Sequence, residues 1–342
     1  MELSVERIER AFAAPVATAH GVLTSRELIE VTLVDAGGLL LGRGEAAPLE
    51  SYDGVSIERT LAALEAYRPV LAQAPARGGG ALLDGCRDAD DLPQALAAID
   101  MALWDLAGRR AGRPVCELLS DTGASVIAVN ASVAVEAPQA AALAAARAVA
   151  DGYSCVKLKV GFADDVARVA AVREAIGPQT SLRLDANGAW SLGHAERALA
   201  VLGGYGLELI EEPVHGLADT RALRERVAVR IAIDETAAIP GALTARVADA
   251  VCLKISRAGG IGGLLAAAAL VRASGAEVYV SSTYDGPLGI AAALHAAAAL
   301  APLPACGLAT LELFSEFPAS LRVRAGAIAV PRGPGLGVAE LA

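Results

Sequence analysis

Lysine is scarce in this chain of 342 residues. Only three of its 29 basic side chains are lysines, and the rest are arginines. The lysines are Lys157, Lys159 and Lys254. Arginine stays charged in proteins, whereas lysine can lose its proton where its surroundings favour the neutral amine. A chain that uses arginine for plain positive charge and keeps lysine at three positions predicts that a proton moves at those positions.

Other scarcities argue against whole classes of protein. The net charge of −10 argues against nucleic acid or an anionic membrane as the main partner. Only 4% of residues are aromatic, yet 54% are hydrophobic, which fits a compact α/β protein rather than a disordered one. The cysteines are five in number and lack CxxC spacing, so we expect buried thiols in a reducing cytosol. They are Cys86, Cys116, Cys155, Cys252 and Cys306.

No segment of the sequence has the pattern of a leader peptide or a membrane span. The opening "MELSVERIER" is charged from the start, unlike a secretory signal. The longest apolar stretch, "GPLGIAAALHAAAALAPLP", contains a histidine and several prolines, and we interpret it as a buried helix flanked by turns. We therefore expect a cytoplasmic protein without a membrane partner.

The first hundred residues predict a small α+β unit. "LIEVTLVD" (28–35) and "LLLGRGEAAP" are two strands joined by a glycine-rich turn, so a hairpin is expected. "SIERTLAALEAYRPVL" is an amphipathic helix with Ser56 as its N-cap. "LPQALAAIDMALWDLAGRRAGRP" is a second helix, which ends at Gly112 and Pro114. "APARGGGA" is predicted to be a surface loop.

From about residue 125 short β-branched runs alternate with alanine-rich helical segments. This βαβα rhythm predicts a parallel sheet, and seven such units approach the eight of a TIM-like barrel. The predicted strands are "VIAVNASVA", "CVKLKVG", "SLRLDANGAW", "LELIEEPV", "VRIAIDET", "DAVCLKIS" and "EVYVSST".

Five charged residues stand at the ends of consecutive predicted strands. They are Lys159, Asp185, Glu211, Asp234 and Lys254. Successive members are separated by about 20 to 26 residues, the length of one strand–helix–loop unit of a barrel. All five would therefore lie at the C-terminal mouth, where barrel active sites form.

Three converging carboxylates and two flanking lysines predict a specific chemistry. The carboxylates would repel one another in a half-buried site, and a divalent cation relieves that repulsion. An all-oxygen ligand set favours Mg²⁺ over Zn²⁺. A lysine beside a cation loses its proton more easily and can act as a general base. The reaction that fits is abstraction of a proton α to a carboxylate, with the metal stabilising the enediolate.

The motifs "KLKVG", "RLDANGAW", "LIEEPV", "AIDET" and "LKISRAGG" resemble the enolase superfamily and, within it, the muconate-lactonizing-enzyme subgroup. Upstream, "GRGEAAP" and "AIDMALWDLAGRRAGRPV" resemble its capping domain and the junction with the barrel. The resemblance covers almost the whole chain. It implies an α/β fold: a (β/α)7β barrel over 119–310, an α+β capping domain over 1–118, and a C-terminal segment, 311–342, that returns to the cap.

The resemblance also implies roles for individual residues. Asp185, Glu211 and Asp234 would bind Mg²⁺. Lys159 would be the base on one face, and Lys254 would be the opposing base or a cation that stabilises the intermediate. Lys157 would support Lys159. The predicted supporting or substrate-binding residues are Asn187, Glu235, Ser281, Ser282, Asp285, His20 and Tyr52. Glu212 and Glu235 are ranked lower because neighbouring strand residues point to opposite faces.

The C-terminal run "VSSTYDGPLGIAAALHAAAALAPLPACGLATLELF" is most similar to o-succinylbenzoate synthases, so the first expectation is a syn dehydration. Dipeptide epimerisation is the nearest rival, but the DxD expected near the last strand is "LEL" (311–313) here. Asp285 or Glu312 would have to replace it. N-acylamino-acid racemisation, muconate-type cycloisomerisation and an inactive barrel that only binds remain further alternatives. A small carboxylate substrate and association into a homo-oligomer are the expected partners.

Overall fold

The N-terminal part of the chain forms a three-stranded antiparallel sheet. The computed structural model describes residues 1–19, 21–35, 37–73 and 78–338. The strands are β1 (Glu2–Thr18), β2 (Gly21–Val34) and β3 (Leu41–Ala46), in the spatial order β1-β2-β3. The hairpin predicted over β2 and β3 is confirmed. Strand β1, the longest strand described, was not predicted.

The N-terminal part of the chain also contains five described helices. They are α1 (Glu50–Asp53), α2 (Ile57–Ala72), α3 (Gly79–Ala89), α4 (Pro93–Ala111) and α5 (Val115–Leu119). Ser56 caps α2 as predicted, because its hydroxyl accepts the Arg59 N–H at 3.1 Å. Helix α4 ends at Gly112 with a φ of 64°. Gly44 lets β3 approach α4 closely, since a Cβ there would lie 1.9 Å from the Ala98 carbonyl oxygen. Helix α3 begins inside the segment predicted as a loop.

Seven parallel strands follow in one curved sheet, in the spatial order β11-β10-β9-β8-β7-β6-β5. They are β5 (Ala131–Val133), β6 (Cys155–Lys159), β7 (Ser181–Asp185), β8 (Leu209–Glu211), β9 (Ile231–Ile233), β10 (Ala250–Lys254) and β11 (Glu277–Ser281). Residues 306 and 307 close this sheet, because Cys306 forms a parallel bridge with Val129 and Gly307 forms one with Ser281. The segment around them is the eighth strand, so the predicted (β/α)7β barrel is confirmed.

The outer layer of the barrel consists of helices. They are α6 (Pro138–Ala150), α7 (Asp165–Ile176), α8 (Leu192–Leu202), α9 (Leu217–Arg224), α10 (Ile255–Ala258), α11 (Ile261–Ser274) and α12 (Pro287–Leu300). Helix α12 is the predicted buried helix, and His295 within it accepts the Cys116 N–H at 3.0 Å. Among the described residues no helix has both the length and the apolar character needed to cross a membrane. All five cysteines are free and buried, as expected.

The C-terminal segment contacts both the barrel and the N-terminal unit. Strand β4 (Val126–Ala128) pairs with β12 (Ala327–Ala329) outside the main sheet, so "VIAVNASVA" is two short strands rather than the single strand predicted. The Leu336 N–H donates to the buried carboxylate of Asp105 in α4 at 2.7 Å. The first turn of α11 contacts the same helix α4, since the Gly262 N–H donates to Asp100 at 3.1 Å. These contacts fix the N-terminal unit over the mouth of the barrel.

Candidate active site

The five strand-end residues meet at one end of the barrel. Lys159, Asp185, Glu211 and Lys254 are the last residues of β6, β7, β8 and β10, and Asp234 directly follows β9. Lys159 is paired with Asp185, and Asp185 with Glu211, across neighbouring strands. Parallel strands with this register bring their carboxyl ends to one edge, so local strand structure alone places these side chains together.

Lys157 joins two of the carboxylates from inside the barrel. Its Nζ lies 3.0 Å from Asp185 Oδ2 and 2.8 Å from Glu211 Oε1. Burial opposes the charge on Lys157, but the attraction of both carboxylates outweighs it and holds the lysine pKa well above its usual value. Burial would likewise raise the pKa of Asp185, but Lys157 and Lys159 hold it below its usual range. Lys157 therefore stays cationic in this arrangement.

The third carboxylate, that of Asp234, lies beside Glu211. Carboxylate oxygens of Glu211 and Asp234 and the Sγ of Cys252 lie within 4.8 Å of one another. Burial raises the pKa of the Cys252 thiol well above its ordinary value, so the sulfur remains a neutral thiol. The ionisable oxygens of Asp185, Glu211 and Asp234 are all buried, and oxygen-only donors suit Mg²⁺. The residues present thus fit the ion that the sequence predicts.

Lys254 is held by several groups on one side of the carboxylates. Its Nζ donates to Asp234 Oδ2 at 2.5 Å and to the Tyr52 hydroxyl at 2.7 Å, and it lies 4.3 Å from the centre of the Tyr52 ring. The Tyr52 hydroxyl donates to Asp234 Oδ1 at 2.9 Å. It also accepts from Arg257 Nη1 at 2.6 Å. Tyr52 belongs to α1, so the N-terminal unit reaches directly into the mouth of the barrel.

Lys159 lies on the other side of the carboxylates and has fewer side-chain contacts than Lys254. Its Nζ donates to Asn187 Oδ1 at 2.5 Å and lies 3.4 Å from Asp185 Oδ2. Asn187 in turn donates to Glu235 Oε1 at 3.1 Å. The side chain of Lys159 is 22% exposed, whereas that of Lys254 is 8% exposed. The two lysines flank the carboxylates but differ in exposure and in the number of their contacts.

A cavity of about 200 Å³ lies between the N-terminal unit and the barrel mouth. All three lysines line it, together with Asp185 and Asp234. Of the predicted supporting residues, Tyr52, Asn187, Ser281 and Ser282 also line it. The end of β1 contributes Val16 to Thr18. The prediction for His20 falls on a residue outside the described ranges.

Two carboxylates that were considered as substrate-binding groups, Asp285 and Glu312, lie outside the cavity. Asp285 accepts from the Ser282 hydroxyl at 2.7 Å and from the Thr283 N–H at 2.9 Å, so it shapes the loop after β11. Glu312 accepts the Val323 N–H at 2.9 Å. Neither is among the residues lining the cavity.

Glu212 belongs to the wall rather than to the cavity. It accepts the Asp234 N–H at 2.8 Å and the Thr236 N–H at 3.0 Å. Burial raises the pKa of Glu212 to about 8. Its carboxyl group fixes the turn that carries Asp234.

Sequence reasoning missed two residues that contact the cluster, Arg257 and Tyr279. Arg257 lies three residues after Lys254, where the motif "LKISRAGG" already directs attention. Tyr279 donates to Glu211 Oε2 at 2.7 Å. It lies two residues before Ser281 on β11, so strand alternation would have placed it on the same inward face.

Family models match nearly the whole chain. The model "Mandelate racemase / muconate lactonizing enzyme, N-terminal domain" matches residues 2–120. The model "Enolase C-terminal domain-like" matches residues 139–340.

Two kinds of characterised relative resemble the chain. An L-Ala-D/L-Glu epimerase from Bacillus subtilis is 30% identical over 99% of this chain and 96% of its own length. An o-succinylbenzoate synthase from Thermobifida fusca is 41% identical over 55% of this chain and 60% of its own length. Both relatives are enzymes.

Solved structures agree with the fold. A substrate-liganded L-Ala-D/L-Glu epimerase from Bacillus subtilis superposes with a TM-score of 0.89 at 29% identity, covering 99% of this chain and 98% of that one. A dipeptide epimerase from Enterococcus faecalis, complexed with Mg and the dipeptide L-Leu-L-Tyr, has a TM-score of 0.88 at 26% identity, covering 99% of each chain. The chain therefore belongs to the muconate-lactonizing-enzyme subgroup of the enolase superfamily.

Proposed function

We propose that the protein is an Mg²⁺-dependent enzyme that abstracts a proton α to a carboxylate. The observation that carries this proposal is the pair of lysines, Lys159 and Lys254, which face one cavity from either side of three buried carboxylates. Asp185, Glu211 and Asp234 would hold the ion. When bound, the ion supplies positive charge that stabilises the negative charge developing on the substrate carboxylate.

The two lysines have different roles, one in proton transfer and the other in stabilising charge. Lys159 has the more exposed side chain, and its Nζ is the atom that accepts the α-proton. Lys254 is held by Asp234 and Tyr52, and it remains an ammonium group that stabilises the developing anion. Lys157 stays charged between Asp185 and Glu211, where it holds both carboxylates in place.

The specific reaction we favour is a syn dehydration of the o-succinylbenzoate synthase type. Such a reaction needs one base, because the proton and the hydroxyl leave from the same face of the substrate. Lys159 would take the α-proton and return it to the departing hydroxyl, which leaves as water. The unequal surroundings of Lys159 and Lys254 support this division, as does the 41% identity with the synthase from Thermobifida fusca.

The lining of the cavity supports a substrate without an ammonium group. Among the described residues, the carboxylates that line the cavity are Asp185 and Asp234, and both are proposed metal ligands. The other lining groups are the three lysines and neutral side chains, including those of Leu49, Ala134 and Leu313. An ammonium group bound against such a surface would lose its hydration without gaining a partner, which costs free energy.

Dipeptide epimerisation is the second candidate, because the similarity to the Bacillus subtilis epimerase extends over 99% of this chain. In that reaction both lysines exchange protons, each on its own face of the substrate.

One experiment separates the two candidates. Purified protein with Mg²⁺ is incubated with the succinylbenzoate synthase substrate and, separately, with a dipeptide library, in D₂O. The proposal predicts dehydration, no inverted dipeptide, and loss of dehydration in Lys159→Ala. Epimerised, deuterated dipeptides without dehydration would support the second candidate. Inactivity on both substrate classes, with no α-proton exchange, would contradict the proposed chemistry.

A further inference from the structure

Beneath the carboxylate cluster, one tyrosine crosses the interior of the barrel. Tyr279 is on β11 and pairs with Cys252 of β10, whereas Glu211 ends β8, which lies three strands away in the sheet. The Tyr279 side chain is fully buried, and its hydroxyl donates to Glu211 Oε2 at 2.7 Å. The contact therefore spans the inside of the barrel rather than joining neighbouring strands.

The tyrosine ring is itself held from below. The guanidinium of Arg183 lies 4.9 Å from the ring centre, within the range of a cation–π contact. Arg183 is fully buried and donates to Glu208 Oε1 at 2.8 Å and to the Ala305 carbonyl at 2.7 Å. Because each partner of Arg183 is part of the barrel wall, the phenol has little freedom to turn away from Glu211.

With this contact, each carboxylate oxygen of Glu211 accepts a hydrogen bond from another side chain. Its Oε1 accepts from Lys157 at 2.8 Å, and its Oε2 accepts from Tyr279. We propose that Tyr279 is a positioning residue that fixes the orientation of the Glu211 carboxylate for binding a divalent cation. The inference rests on the proposed role of Glu211 as a metal ligand.

The expected effect is on metal affinity rather than on folding alone. Groups that hydrogen-bond to metal ligands typically contribute about 10- to 100-fold to affinity. In Tyr279→Phe the ring keeps its contact with Arg183, and only the hydroxyl is lost. We therefore expect the dissociation constant for Mg²⁺ to rise about tenfold, near the lower limit of that range, because Lys157 still holds the other oxygen.

The test measures Mg²⁺ binding to the purified full chain by isothermal titration calorimetry, without substrate. The matched control is Tyr67→Phe. Tyr67 is also fully buried and its hydroxyl donates to the Asp90 carbonyl at 2.6 Å, far along the chain from the carboxylates. The control should unfold at a lower temperature but bind Mg²⁺ like the wild type. Equal Mg²⁺ affinity in Tyr279→Phe and wild type would overturn the inference.

A double-mutant cycle tests whether Tyr279 affects Mg²⁺ binding through Glu211. If Tyr279 acts through Glu211, adding Tyr279→Phe to Glu211→Gln should weaken Mg²⁺ binding no further. The same tenfold loss in both backgrounds would show that the hydroxyl acts by another route and would overturn the inference. If the wild type itself binds no Mg²⁺, the proposed metal site fails together with the inference. If the wild type binds Mg²⁺ and Tyr279→Phe binds equally well, only the inference fails.

Discussion

Lys159 and Lys254 flank the same carboxylates, but their surroundings differ. Lys254 is packed against the Tyr52 ring and donates to two oxygens, whereas Lys159 contacts the amide of Asn187 and is more exposed. A group that must exchange a proton with substrate needs room to approach it, and a group that only supplies charge is best held rigidly. We therefore propose that Lys159 exchanges the proton and that Lys254 supplies the fixed charge.

The largest expected effect comes from Lys159. In Lys159→Arg the charge is kept but the side chain can no longer give up a proton, so kcat should fall by about 10³-fold or more. The measurement is kcat on the substrate identified by screening, together with α-proton exchange in D₂O. Activity within about tenfold of the wild type would show that Lys159 is not the base.

Lys254→Arg is the counterpart on the other flank. If Lys254 supplies only charge, arginine should preserve part of its contribution, and kcat should fall by about 10- to 100-fold, much less than in Lys159→Arg. Lys254→Met, which removes the charge, should cost more. Equal losses in Lys159→Arg and Lys254→Arg would instead indicate two bases and favour epimerisation.

Tyr52→Phe sharpens the comparison further. The variant keeps the ring against Lys254 but removes the hydroxyl that contacts Lys254, Asp234 and Arg257. Looser positioning of Lys254 should lower kcat/KM by about tenfold, because one buried network of hydrogen bonds is lost. Steady-state kinetics would measure this. An unchanged kcat/KM would mean that Lys254 needs no support from the N-terminal unit.

The smallest effect on activity is expected from substitution of Glu45, which does not line the cavity that contains the lysines. It is buried in β3 and accepts the Gly286 N–H at 2.6 Å, and its Oε2 has no hydrogen-bond partner among the described residues. Burial raises the pKa of Glu45 to about 8. A raised carboxyl pKa favours the neutral form in the folded state, so the stability it contributes is lost as pH rises from about 4.5 to about 8.

Glu45→Gln should therefore flatten part of the pH dependence of stability. Relative to this variant, the wild type should lose on the order of 1 kcal/mol per pH unit between about pH 5 and pH 8. Urea unfolding across that window measures the difference, while kcat stays nearly constant. Parallel pH profiles for the two proteins would contradict the assignment of a raised pKa to Glu45.

The barrel was predictable because its signals are local. The strands β6, β7, β8 and β10 each end at a charged residue, so the order of Lys159, Asp185 and Glu211 along the chain already determines their order around the mouth. Strand β1 was not predictable in this way. Most of its side chains are exposed or half-buried, so it lacks the apolar alternation of a half-buried strand, and pairing with β2 forms it instead.

The contacts that distinguish the two flanks depend on tertiary structure. Tyr52 and Lys254 are 202 residues apart in sequence, and only the docking of the N-terminal unit brings them together. Tyr279 reaches Glu211 only because the sheet closes into a barrel. The sequence pattern could identify the charged residues of the site, but it could not show which lysine is held by more contacts.

The most direct test of the central claim is a crystal structure with Mn²⁺ in place of Mg²⁺, located by anomalous scattering. The account predicts one peak at the barrel mouth, coordinated by oxygens of Asp185, Glu211 and Asp234, with the lysines on either side of it. A peak bound by Cys252, or a mouth without a peak at saturating Mn²⁺, would contradict it.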